Sequence, residues 1–195
     1  MGSRASTIDR ILNAAEEHFF RDGIASTPID AITAAADVSS ATLYRAFPSK
    51  NDLVSAALRR RHAAWLTVWD EAIDRYTAPR DRLLAVFEAI DDFADRPMGA
   101  RWCAFLGTAA EFTDAPPVIL EAVNLDTDTL RTRLEQLARK LPAADPTGLA
   151  EQLLLIITGH LGMRLRNSNY PSATALTIGQ HLVAESRRPH RPSNN

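Results

Sequence analysis

With 195 residues, 46% of them apolar and 24% charged, the chain is long enough to bury a core, and its composition excludes a fibrous or intrinsically disordered polymer. No apolar run approaches a membrane span and the opening from Met1 to Thr7 lacks the hydrophobic stretch of a signal peptide, so a cytoplasmic protein is expected, without membrane association. The single cysteine, Cys103, excludes an intrachain disulfide, and the formal net charge of −2 excludes a globally basic protein.

The first predicted helix covers Thr7–Arg21, with Ile8, Ile11, Leu12, Ala15 and Phe19 on one face and Gly23 just past its end. Thr27 reads as the N-cap of a second helix, with Pro28 at the first helical position and Asp30 at capping-box spacing. Ile29, Ile32 and Ala36 recur at three- and four-residue intervals, so this short helix has one apolar face. Asp37 falls where the chain must turn sharply, and Asp tolerates the left-handed conformation better than most residues. Val38 then returns to the core, and Ser39 or Ser40 can cap a third helix anchored only by Leu43 and Phe47. Ser40, Ala41, Thr42, Tyr44 and Arg45 are left facing outward. Pro48 ends the helix and restricts Phe47. Ser49 caps the fourth helix, placing Lys50 beside a positive helix end that favours a phosphate.

Two short helices joined by a tight turn, with short hydroxyls and an alanine outermost, suit a DNA groove. Base edges can approach closely, Tyr44 can donate to a phosphate, and Arg45 can pair with a guanine or a phosphate. The residues from Arg10 to Ala15, Phe19, Gly23, Thr27 to Ile32, Val38 and Ser39, Thr42 to Tyr44, and Phe47 to Lys50 together resemble the N-terminal domain of TetR-type transcriptional regulators. Two positions depart from that family's pattern: Asp37 stands where glycine is usual and Thr33 where alanine is usual. The resemblance implies an all-α chain of about nine helices. A three-helix helix-turn-helix domain over residues 1–50 would precede a ligand-binding and dimerisation bundle over 51–187 and a flexible tail over 188–195. It also implies double-stranded DNA as partner, contacted by Thr27, Ser39, Ser40, Ala41, Thr42, Tyr44, Arg45 and Lys50.

Charge supports this weakly: residues 1–61 carry eight Arg and Lys against seven acids, or +1, leaving −3 for the remainder. Phosphate contacts should be few per monomer and the salt dependence moderate. The run Arg59, Arg60 and Arg61 reads as a solvated helix face, because it lies well past the turn. The fourth helix should extend from about Asn51 into the seventies. Further helices are predicted near 80–95, 99–113, 117–140, 146–167 and 172–187, punctuated by Pro79, Pro97, Pro116, Pro117, Pro142, Pro146, Pro171 and Pro189.

The eighth helix is apolar almost all round from Leu153 to Ile157 and carries Gly159 and Gly162, so it needs partners on more than one side. By resemblance, the last two helices build a four-helix bundle with those of a second subunit. Leu153, Ile156, Ile157 and His160 are the expected dimerisation residues of a homodimer, which would place two reading helices on the half-sites of a palindromic operator. The resemblance also implies a small-molecule effector, of unknown identity, that releases a repressor from DNA. Its pocket is expected among Trp65, Trp69, Phe87, Asp91, Trp102, Phe105 and Glu111, where large apolar groups dominate. Asp91, Asp92 and Glu111 would suit a cationic ligand if they face inward.

Two other readings stand beside this one: a DNA-binding architectural protein without effector, and an all-α enzyme using His160 with Glu111 or Asp91. The second lacks support, because His18, His62, His160, His181 and His190 show no metal-ligand spacing and Cys103 has no neighbouring histidine in sequence. No catalytic residue, metal ligand or cofactor is expected.

Overall fold

The computed structural model describes residues 6–96 and 103–186, and among these it forms nine helices and no strand. They are α1 (Thr7–Asp22), α2 (Ile29–Ala36), α3 (Ser40–Ala46), α4 (Lys50–Asp74), α5 (Pro79–Ala94), α6 (Ala104–Glu111), α7 (Pro117–Ala138), α8 (Pro146–Arg166) and α9 (Ala173–Glu185). Prolines place several starts. Pro79, Pro117 and Pro146 each open a helix, where the missing N–H is not needed and the fixed φ suits the first turn. Asp145 adds a side-chain cap to α8, accepting from the Gly148 N–H at 2.8 Å. Within the expected helix at 99–113 the described residues form α6; residues 97–102, and with them Trp102, lie outside the described residues, as does the tail at 188–195.

α1 begins on a capping box not anticipated from the sequence: the Ser6 hydroxyl accepts from the Asp9 N–H at 3.1 Å while the Asp9 carboxylate accepts from the Ser6 N–H at 3.2 Å. Ile11, Leu12, Ala15 and Phe19 are buried as their spacing predicts, but Ile8, in the first turn, is 52% exposed. α1 packs on α2 and α2 on α3.

The helices gather into two compact units. The first takes Met1–Ala63 and Ala104–Asp126, and the second Ala64–Cys103 and Thr127–Asn195. This division does not coincide with the boundary expected at residue 50. α4 runs unbroken through Ala63, with no turn signal to divide it, and α6 with the start of α7 belongs to the first unit although it follows α5 in sequence. The second unit holds a continuous apolar core built from Trp69, Leu83, Val86, Phe87, Leu134, Leu149, Leu153 and Ile157. α9 sits close on α5: a Cβ at Gly179 would lie 2.9 Å from the Phe87 ring and 3.2 Å from Leu84, so only glycine fits there.

Candidate nucleic-acid interface

The turn between α2 and α3 is made by Asp37 at φ 52, ψ 56, the left-handed conformation expected of it. Its N–H donates to Ala34 at 3.2 Å and that of Val38 to Thr33 at 3.1 Å, the paired bonds of a Schellman ending. Two further carbonyls at this helix end are taken by Arg10 from α1, whose guanidinium donates to Ala36 O at 2.9 Å and Asp37 O at 3.2 Å. Arg10 thereby locks the turn, a role its sequence position did not signal. Thr33 is accommodated because its hydroxyl donates to Asp30 O at 3.0 Å.

Ser39 caps α3, accepting from the Thr42 N–H at 3.2 Å, and its hydroxyl lies 2.9 Å from that of Thr42. Leu43 and Phe47 are the buried anchors. Phe47 is extended at φ −134, ψ 103, the conformation required before Pro48. Ser39, Ser40, Ala41, Tyr44 and Arg45 are exposed and Thr42 is half-buried. Tyr44, 47% exposed, and Arg45 form no hydrogen bond or ion pair among the described residues, so both polar ends are available to a partner.

Two expected contacts are placed differently. Thr27 is not the N-cap: that position falls one residue later, on Pro28, without a side-chain cap, and α2 starts at Ile29. The Thr27 side chain is 2% exposed and its hydroxyl donates to Gly23 O at 2.7 Å, so it closes the α1–α2 connection instead of reaching a phosphate. Lys50 also turns inward, its ammonium donating to Thr27 O at 2.6 Å and lying 5.9 Å from the centre of the Phe19 ring. Burial lowers its pKa, with Glu111 acting in the opposite direction. Of the arginine run, Arg59 is exposed as expected, whereas Arg60 and Arg61 are not solvated. Arg60 pairs with the buried Glu16 at 2.5 Å, Arg61 is buried over the Phe20 ring, and Arg59 lies 3.6 Å from Glu121.

Residues 11–57 match the family described as bacterial regulatory proteins, tetR family. The fold also matches solved structures over nearly its whole length. A TetR-family transcriptional regulator from Streptomyces coelicolor superposes with a TM-score of 0.83 at 29% identity, covering 93% of this chain and 96% of that one. A protein described as a TetR-type regulator from Streptomyces avermitilis gives 0.80 at 27%, covering 93% and 98%. Over nearly its whole length the chain is similar to TetR-type transcriptional regulators. The fold is shared as well with a TetR regulator from Chloroflexus aurantiacus, at a TM-score of 0.74 and 24% identity over 94% of this chain and 95% of that one. A comparison with curated proteins returned no match.

The residues expected to line an effector pocket are distributed over both units. Trp65, Trp69, Phe87 and Asp91 lie in the second, Phe105 and Glu111 in the first. Trp65 stacks on Trp69 at 5.6 Å and meets Phe93 edge-on at 5.8 Å, while Arg133 covers Trp69 at 4.6 Å. The three acids suggested for a cationic ligand are all engaged. Asp91 accepts from Arg164 at 3.0 Å and from Ser172, Asp92 pairs with Arg75 at 2.7 Å, and Glu111 accepts from backbone N–H groups of Ile24 and Ala25. His160 makes no hydrogen bond with a carboxylate, and no group of three His, Cys, Asp or Glu able to hold a metal occurs among the described residues. No described helix is long and apolar enough to cross a membrane.

The Trp69 indole N–H and both ring nitrogens of His160 are buried without a hydrogen-bond partner among the described residues. Such groups cost stability. Burial first, then Arg164, lowers the His160 pKa from its ordinary 6.5, against the pull of Asp91. The folded state therefore favours neutral imidazole, and the unfolded chain takes up the proton first as pH falls below about 6.5. Stability contributed by the neutral ring is complete above that pH and declines below it. His160→Leu should raise stability at pH 7 by on the order of 1 kcal/mol and flatten the decline between pH 7 and 5. Urea melts at several pH values check this; a variant less stable than the native chain at pH 7 would show that the ring is satisfied.

The expected dimerisation residues are turned inward. Leu153, Ile157 and His160 are buried in their own chain and Ile156 is packed against its core. With α8 apolar all round, periodicity could not tell its two faces apart. The outward stripe is instead Leu155, Gly159, Gly162 and Met163, with Ile178 exposed on α9, and a Cβ at either glycine would meet nothing within 4 Å.

Proposed function

We propose that this regulator is a homodimeric repressor that binds a palindromic operator through α3 and is released by a small-molecule effector in the cytoplasm. The observation that carries the DNA reading is the pair Tyr44 and Arg45, exposed and unengaged on the outer face of a short capped helix whose turn is locked by Arg10. Ser39, Ser40, Ala41 and Thr42 complete the contact set at the N-terminal end of α3, where backbone N–H groups also point outward. Thr27 and Lys50 act behind this surface, holding the α1–α2 connection.

The exposed stripe on α8, with Ile178 on α9, supports self-association through these two helices, which gives two reading helices the two-fold symmetry of a palindrome. Trp65, Trp69 and Phe93 favour a mainly apolar effector, and the buried Trp69 N–H and His160 ring supply polar groups it can engage. With Asp91, Asp92 and Glu111 already engaged, nothing favours a cation.

Selection of random DNA by the purified protein at stated salt concentration tests the reading. Enrichment of one palindrome supports it and supplies the probe for an effector screen; recovery of no preferred sequence removes it.

A further inference from the structure

Glu111, the last residue of α6, reaches the α1–α2 connection some ninety positions away in sequence and accepts from the Ile24 N–H at 3.0 Å and from the Ala25 N–H. From α4, Lys50 donates to the carbonyls of the same segment, Thr27 O at 2.6 Å and Ala25 O at 3.5 Å. One connection thus has its N–H groups held by an acid from one helix and its carbonyls by a base from another. Gly23 stands at φ +93, a conformation that favours glycine, and the Glu111 carboxylate lies close by, 3.5 Å from where a Cβ would be. The connection leads directly into α2, whose far end carries the turn and the reading helix.

We infer that Glu111 is a positioning residue for DNA recognition: its carboxylate fixes the α1–α2 connection and hence the orientation of α2 and α3. The inference rests on the DNA-binding reading above. Charge gives it a distinctive sign. Removing an acid from the DNA-binding unit strengthens binding to polyanionic DNA by electrostatics alone, whereas loss of positioning weakens binding to the operator.

The test compares the full-length protein with Glu111→Ala and Glu111→Gln on the selected operator and on random duplex, at two salt concentrations and with the folded fraction measured. Both variants remove the same charge, but the glutamine oxygen still accepts one N–H bond. Glu111→Ala should lose at least tenfold in operator affinity while random-duplex affinity holds or rises, and Glu111→Gln should recover part of the loss. Operator affinity at the native level in Glu111→Ala, or equal losses on both duplexes, would overturn the inference. If the native protein selects no sequence, the DNA reading has failed separately, and amide exchange still decides the positioning. Faster exchange in Glu111→Ala spreading from Ile24 and Ala25 through α2 and α3 supports it, and a change confined to those two amides overturns it.

Discussion

Arg45→Ala should weaken operator binding by roughly 2–6 kcal/mol in a dimer, taking about 1–3 kcal/mol for the arginine of each copy. At tenfold per 1.4 kcal/mol this spans about thirtyfold to more than ten-thousandfold. The exposed guanidinium has no partner among the described residues, so folding stability should stay within about 0.5 kcal/mol of the native value. The form of the weakening separates two roles. A bidentate bond to guanine relaxes selectivity at one position in each half-site; a phosphate bond weakens all sequences alike and reduces the salt slope by about one per phosphate. Tyr44→Phe removes only the hydroxyl and should cost less, about 1 kcal/mol per copy for a neutral hydrogen bond. Anisotropy titrations at two salt concentrations measure both variants. Native affinity in both would show that the outer face of α3 does not touch DNA.

The parts of this structure that were legible in the sequence are those set by local chemistry. Pro79, Pro117 and Pro146 announce helix starts, Pro48 a helix end, and Asp37 and Ser39 the turn and cap of the reading motif, because each acts on backbone groups within four residues. Thr27 misled because it also satisfies a capping-box pattern, while its hydroxyl found a carbonyl behind it at Gly23. Lys50 is expected at a phosphate from its place at a capped helix start, and Glu111 at an effector from its place among aromatic residues. Both are committed to one connecting segment through pairings that no local spacing encodes. A charge run is usually solvated, and Arg59 is; Arg60 and Arg61 are instead held by Glu16 and Phe20, far off in sequence. For Tyr44 and Arg45 the pattern of the short helix foretold what is observed, that both side chains are exposed.

Leu155→Glu should convert the protein from dimer to monomer at micromolar concentration while leaving the fold intact. Leu155 is 74% exposed in the single chain, so glutamate there costs the isolated fold little. Across a two-fold seam the same change removes about 1.5–3 kcal/mol of apolar burial from each copy and brings two carboxylates into a desolvated region. Gly159→Ala gives the complementary test because its sign depends on the partner. Within one chain the new methyl meets nothing within 4 Å and should stabilise α8 by about 1 kcal/mol through helix propensity. Between two closely approaching helices it should push them apart and weaken the dimer. Sedimentation as a function of concentration, paired with thermal melting, reads both effects. A monomeric Leu155→Glu that folds normally should bind a half-site far more weakly than the native protein binds the palindrome, since the second reading helix is no longer delivered at high effective concentration. If Leu155→Glu remains dimeric, or the native chain sediments as a monomer, self-association through the α8 and α9 surface is wrong. The palindromic reading would then need another source of two-fold symmetry.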